Sequence, residues 1–226
     1  LNKRLAKATK RAKRVSTLHK QDRRAQKLYN TGVRPQATYG FQAAGAPESY
    51  IKKLRRLMTH CAGGLPKGGC SRTYVATKYG SDSDPSTYYL HQQIDTWYEL
   101  WEQLDNKTKS RTKEAWDITL KEMASTQPKH RWNKITGPIG ATIQALLVLG
   151  WAHKHPENWI HHKDGLECNI GHQPYTKHDL IKACKRQAKE RLWKQASERY
   201  NGKGLEQGEP WLDMGKQVDK WLSNNG

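Results

Sequence analysis

The sequence predicts a mainly α fold: a helical bundle with a long basic N-terminal helix and a small β-hairpin near residues 158–170. Three observations lead there. Apolar residues recur at three- and four-residue steps through most of the chain, which is helical periodicity. Cap and stop signals separate these stretches at helix-length intervals. The single Asp-Gly dipeptide, Asp164-Gly165, lies between two β-prone runs, which is a hairpin signal.

In chain order, residues 1–30 read as one helix, with Leu5, Ala8, Ala12, Val15 and Leu18 followed by Ala25, Leu28 and Tyr29. It is expected to stop at Gly32, with Pro35 just beyond. A second helix starts near Pro47–Glu48. It turns Ile51, Leu54, Leu57 and Met58 inward and Lys52, Lys53, Arg55 and Arg56 outward. The glycine-rich run 63–69 reads as a connector; it could wrap a phosphate, but no G-K-[ST] opens a helix behind it. Asp84-Pro85 starts a helix whose aromatic stripe is Tyr89, Leu90, Ile94, Trp97, Tyr98, Trp101 and Leu104, read as core.

A helix over about 110–124 presents Trp116, Leu120 and Met123. Residues 137–150 form the most apolar helix, with Pro138 near its start and Gly150 at its end, and it is expected to be central. After the hairpin, the pattern Thr176-x-x-Asp179 opens a basic helix to about Tyr200. Its outer side carries Lys182, Lys185, Arg186, Lys189, Arg191 and Lys194. Pro210 begins a last short helix with Trp211, Met214, Val218, Trp221 and Leu222. No internal repeat or low-complexity stretch is present. The expected organisation is a basic helical segment (1–62), an aromatic-rich helical bundle (63–152) and a hairpin followed by C-terminal basic helices (153–226).

The 226 residues carry 40 Lys plus Arg against 21 Asp plus Glu, for a net charge of +19. Mean hydropathy is −0.99. Nine Trp and ten Tyr argue for a folded chain rather than a disordered tail. Residues 1–30 hold eleven cations and only Asp22 as an acid, about half the net charge of the chain. Like charges repel along a helix unless something negative lies beside it, so the expected partner is a polyanion. The longest apolar run, Ile139 to Trp151, is well short of the roughly 20 residues needed to span a bilayer. The first residue is Leu, as expected of a fragment or a processed chain, and the basic, acid-poor start also suits an organelle presequence.

Chemistry-bearing motifs are sparse. The ten aspartates are scattered, the closest approach being Asp82-Ser-Asp84, whereas a two-metal polymerase or nuclease centre needs carboxylates close together. There is no G-x-S-x-G, no H-E-x-x-H and no dinucleotide-binding glycine pattern. Neither Cys168/His172 with His161 and His162, nor His60, Cys61 and Cys70, has the paired C-x₂-C spacing of a tetrahedral zinc site. No catalytic residue, metal or cofactor is expected, and four cysteines in a chain this long fit a reducing, intracellular compartment.

Two stretches carry a family resemblance. The basic helix, then Lys27-Leu-Tyr-Asn-Thr-Gly-Val-Arg-Pro-Gln-Ala-Thr-Tyr-Gly40, Gly45 and Leu54-Arg-Arg-Leu57, resembles the region after the palm in non-LTR-type, dinoflagellate-like retroelement reverse transcriptases. The segments Gly137-Pro-Ile-Gly-Ala-Thr-Ile, Leu149-Gly-Trp151 and Trp159 are similar to the downstream part of those frames. Phe41-Gln42 stands where the family commonly has an acidic residue, and the Tyr-x-Asp-Asp palm motif is absent. The resemblance implies a non-catalytic thumb and connector that grips an RNA/DNA duplex.

The expected function is therefore nucleic-acid binding, with RNA or an RNA-containing duplex favoured. The expected contacts are Lys7, Lys10, Arg11, Arg14, Lys20, Arg23, Arg24 and Lys27 on the first helix and Lys52, Lys53, Arg55 and Arg56 on the second. Lys185, Arg186 and Lys189 would form a further surface. Gly32, Pro35, Tyr39 and Gly40 are expected to set the angle between the first two helices. The alternatives are a structural subunit of a large, organellar-type ribonucleoprotein and a cationic scaffold on an acidic protein complex. A further alternative makes the chain a piece of a polymerase whose palm lies elsewhere.

Overall fold

A computed structural model describes residues 2–172 and 176–198. Among the described residues the chain is mainly helical, with one two-stranded antiparallel hairpin. It divides into two compact units. The first holds the described residues up to Tyr39, Glu48–Tyr88, and those from Ala188; the second holds Gly40–Pro47 and those of Tyr89–Gln187. The segment boundaries drawn from sequence, at 62/63 and 152/153, each fall inside one unit.

In the first unit, α1 (Asn2–His19) ends eleven residues before the predicted end of the first helix. The cause is Asp22, which adopts extended backbone and accepts the Arg24 N–H at 2.8 Å. Its short side chain competes with the helical ladder and opens a new 3₁₀ turn, Arg23–Lys27. The predicted stop at Gly32 is also corrected. Tyr29–Val33 form a π turn that runs straight into α2 (Arg34–Thr38), with Gly32 inside the turn and Pro35 in the first turn of α2. The Arg34 N–H reaches back five residues to the Tyr29 carbonyl. Pro35 has no N–H to donate, so the wide turn forms where the ladder would be interrupted.

Helix α4 (Glu48–Cys61) buries Tyr50, Ile51, Leu54, Met58 and Cys61, while Leu57 is half-buried. It packs on α1, where Ala8 and Ala12 are fully buried and the Cys61 Sγ lies 3.8 Å from the Ala12 carbonyl. Small residues at this contact let the helices approach closely. After the glycine-rich connector, α5 spans Ser71–Tyr79. The predicted start at Asp84-Pro85 is observed: α6 runs Pro85–Gln103, and the Asp84 carboxylate accepts the Ser86 N–H at 2.8 Å.

In the second unit, α3 (Phe41–Ala44) packs against α8 (Pro138–Leu149). Tyr89, Leu90, Ile94, Trp97, Tyr98 and Trp101 are buried, as read from the stripe; Leu104 lies just past the helix end, half-buried. Helix α7 (Asn106–Ser125) starts a turn before the predicted position, because Asp105 accepts the Thr108 N–H at 2.6 Å and caps it there. Gly140–Leu146 and Leu149 of α8 are buried. Gly150 closes this helix in the left-handed region at φ +84°, where glycine carries no Cβ penalty.

Strands β1 (Asn158–His161) and β2 (Leu166–Asn169) pair in the register Asn158↔Asn169 to His161↔Leu166. Three buried indoles hold the segment leading into them. Trp97 Nε1 donates to the Pro156 carbonyl at 2.9 Å, Trp116 Nε1 to His153 at 3.1 Å and Trp159 Nε1 to His155 at 3.2 Å. Helix α9 (Lys177–Ser197) opens on the predicted capping box: Thr176 Oγ1 donates to Asp179 and accepts the Asp179 N–H at 3.2 Å. The expected helix over 210–222 lies outside the described residues.

Candidate nucleic-acid interface

Helix α1 is built as two faces. Ala8, Ala12 and Val15 form its buried stripe. Opposite them stand Lys3, Lys7, Lys10 and Arg14, at steps of four, three and four. All four are exposed, and among the described residues none forms an ion pair. At 1.5 Å per residue they extend over about 16 Å of one helix face.

The arginines on the flank of α1 are used differently. Arg4 donates to the Tyr39 carbonyl and places its guanidinium 4.6 Å from the centre of the Tyr39 ring. Arg11 donates to the Gly32 carbonyl at 3.0 Å. Both therefore tie α1 to the π turn and α2, meeting carbonyls near the bend. Arg24 pairs with Asp22 at 3.1 Å, an exposed contact that holds the Asp22 carboxyl below its usual range chiefly through the side-chain hydrogen bond. Lys13, Lys20, Arg23 and Lys27 are exposed without such partners among the described residues.

On α4 the sequence reading is split. Lys52, Lys53 and Arg56 are exposed. Arg55 is not on the outer face: it is 2% exposed and bound to Asp84 through Nε at 2.7 Å and Nη2 at 2.9 Å. Burial alone would lower the pKa of this guanidinium, but the charge and hydrogen bonds of Asp84 outweigh that and raise it. The signal was present in the spacing, since 51, 54, 55 and 58 share one helical face.

Residues of α9 read as a further basic surface are largely engaged. Arg186 pairs with Asp164 at 2.6 Å in the second unit, and Lys189 pairs with Asp82 at 2.5 Å in the first. Lys185 is half-buried, and burial pushes Arg191 below its ordinary pKa. Lys182 and Lys194 remain exposed.

Of the described tryptophans, Trp97, Trp101, Trp116, Trp151 and Trp159 are buried, and Trp132 and Trp193 are half-buried. Among the described residues the exposed ring is Tyr39, 70% accessible beside Arg4, at the turn that the sequence places between the first two helices. Among the described residues no group of three or more His, Cys, Asp or Glu side chains could hold a metal ion. Burial pushes the thiols of Cys61 and Cys168 up to about 12 and about 11. No described helix is long and apolar enough to cross a membrane. No protein-family model matches this chain, and no match is found among curated proteins or solved structures.

Proposed function

We propose that this protein binds nucleic acid, RNA or an RNA/DNA duplex, through the outward face of α1, and performs no chemical step of its own. The observation that carries the reading is the row Lys3, Lys7, Lys10 and Arg14, exposed and without carboxylate partners among the described residues. Each like-charged i,i+4 pair costs a helix a few tenths of a kcal/mol. A row of phosphates removes that repulsion, and the counterions released from the nucleic acid drive binding. Recognition follows backbone and shape, because a helix does not reach base edges in the deep groove of an A-form duplex. The thumb-like region of retroelement reverse transcriptases, which the sequence resembles, is proposed to be the closest functional parallel.

Burial of Ala8, Ala12 and Val15 favours this reading over a ribonucleoprotein extension that orders only on assembly. The test is binding of the full chain to labelled single-stranded RNA, RNA/DNA hybrid and duplex DNA across a salt series, read by fluorescence anisotropy. Affinity that falls steeply with salt and favours the RNA-containing ligands is the expected result. Weak binding that ignores both salt and ligand type overturns the reading.

A further inference from the structure

The second unit contains a cleft of about 450 Å³ between α7 and the base of the hairpin. This volume is in the range of small-molecule sites. Trp101 forms an apolar wall, Lys109 and Lys113 of α7 stand one turn apart, and Glu157, Asn158 and Asn169 complete the lining used here. Asn158 and Asn169 are direct partners in the strand register, which puts their side chains on the same side of the hairpin.

Three residues of this lining each carry a buried side-chain oxygen with no hydrogen-bond partner among the described residues: Glu157 Oε2, Asn158 Oδ1 and Asn169 Oδ1. Buried acceptors are normally paired, so a cluster of three calls for a ligand that donates. The charges narrow its chemistry. Lys113 Nζ sits 2.5 Å from Glu157 Oε1, and Lys109 Nζ lies 5.7 Å from the centre of the Trp101 ring. Two ammonium groups against one carboxylate make the wall cationic, which disfavours a guanidinium or amine as the donor. What fits is a neutral N–H edge joined to an anionic group, and a nucleotide has both. Among the common bases of nucleotides guanine carries the most N–H hydrogens, three on N1 and N2; adenine and cytosine carry two and uracil one.

We propose that this cleft binds a guanine nucleotide, the base edge on Glu157, Asn158 and Asn169 and the phosphate toward Lys109. The ligand is either a free nucleotide or an unpaired guanosine in a strand, and the site does not depend on the basic face of α1. The test is calorimetric titration of the full chain with 5′-GMP, 5′-AMP, 5′-CMP, 5′-UMP and guanosine, alongside uridine hexamers with and without one internal guanosine. GMP should bind at least tenfold more tightly than the other three nucleotides if the source is free, or the guanosine-containing hexamer should gain as much over the plain one if the source is a strand. Glu157→Gln should abolish whichever preference is seen. Lys109→Ala should weaken GMP but not guanosine. The base preference of the unmodified protein needs no variant, so it decides even if Glu157→Gln fails to fold. Equal affinity for the four nucleotides, with no guanosine-dependent gain in the hexamers, overturns the proposal. Affinity of the plain uridine hexamer, which reads the α1 face, should be unchanged by Glu157→Gln.

Discussion

Arg55 and Asp84 form a two-point ion pair inside the first unit, with Nε–Oδ2 at 2.7 Å, Nη2–Oδ1 at 2.9 Å and both side chains 3% exposed. The same carboxylate caps α6 through the Ser86 N–H, so one aspartate fixes the start of α6 and ties it to α4. Removing one partner leaves the other buried and uncompensated. Arg55→Ala or Asp84→Ala should each destabilise the protein by about 3–5 kcal/mol. Replacing the pair by Met and Leu should cost much less than the two single changes combined. Urea denaturation of the three variants checks this; near-additive losses would show that the two side chains do not act as a pair.

The two kinds of cation on α1 should separate in experiment. Converting Lys3, Lys7, Lys10 and Arg14 to Glu should leave far-UV circular dichroism unchanged and lower the slope of log affinity against log salt by about 3. Arg11→Ala instead removes the bond to the Gly32 carbonyl. It should cost under about 1 kcal/mol of stability and change the salt slope by no more than one contact. Anisotropy at several salt concentrations, paired with urea melts, distinguishes the two patterns.

His153 should make stability fall in mild acid. Burial lowers its pKa, against a smaller opposing effect from the hydrogen bond to the Trp151 carbonyl, 2.5 Å away. The folded value lies below the unfolded one, so between them the unfolded chain binds more protons. The stabilisation is therefore present above the unfolded value of about 6.5 and is lost as pH falls from there toward the folded value. Thermal melts at pH 8 and pH 5.5 should show a drop that His153→Gln reduces.

Gly32 and Gly45 should respond oppositely to alanine. A Cβ at Gly32 would meet nothing within 4 Å, and its φ is not positive. Because the position is helical, Gly32→Ala should stabilise by about 0.5–1 kcal/mol. A Cβ at Gly45 would lie 2.7 Å from Ile135 Cδ1 and 3.1 Å from Trp132 Cζ3, on a backbone with φ +67°. Gly45→Ala should destabilise by about 1–3 kcal/mol, read by the midpoint of urea unfolding.

The features that can be read from the chain are those decided by near neighbours. The Thr176–Asp179 box, the Pro138 start and Gly150 end of α8, the Asp164-Gly165 hairpin and the buried stripe of α6 were legible because capping, proline geometry, turn chemistry and periodicity act within a few residues. The tertiary structure decided which of many similar cations are free. Arg55 and Arg56 are adjacent and chemically alike, yet one is buried on a distant aspartate and the other is exposed. Arg4 and Arg11 have the same side chain as Arg14 but stand at a different angle around α1, and that angle matters because the π turn and α2 bring the Gly32 and Tyr39 carbonyls to one flank. It likewise set Asn158 against Asn169 beneath α7, since strand pairing joins residues eleven apart and helix packing joins those farther still. Composition states how much charge a chain carries; long-range contacts choose which charges are already neutralised, and so which remain to meet a ligand.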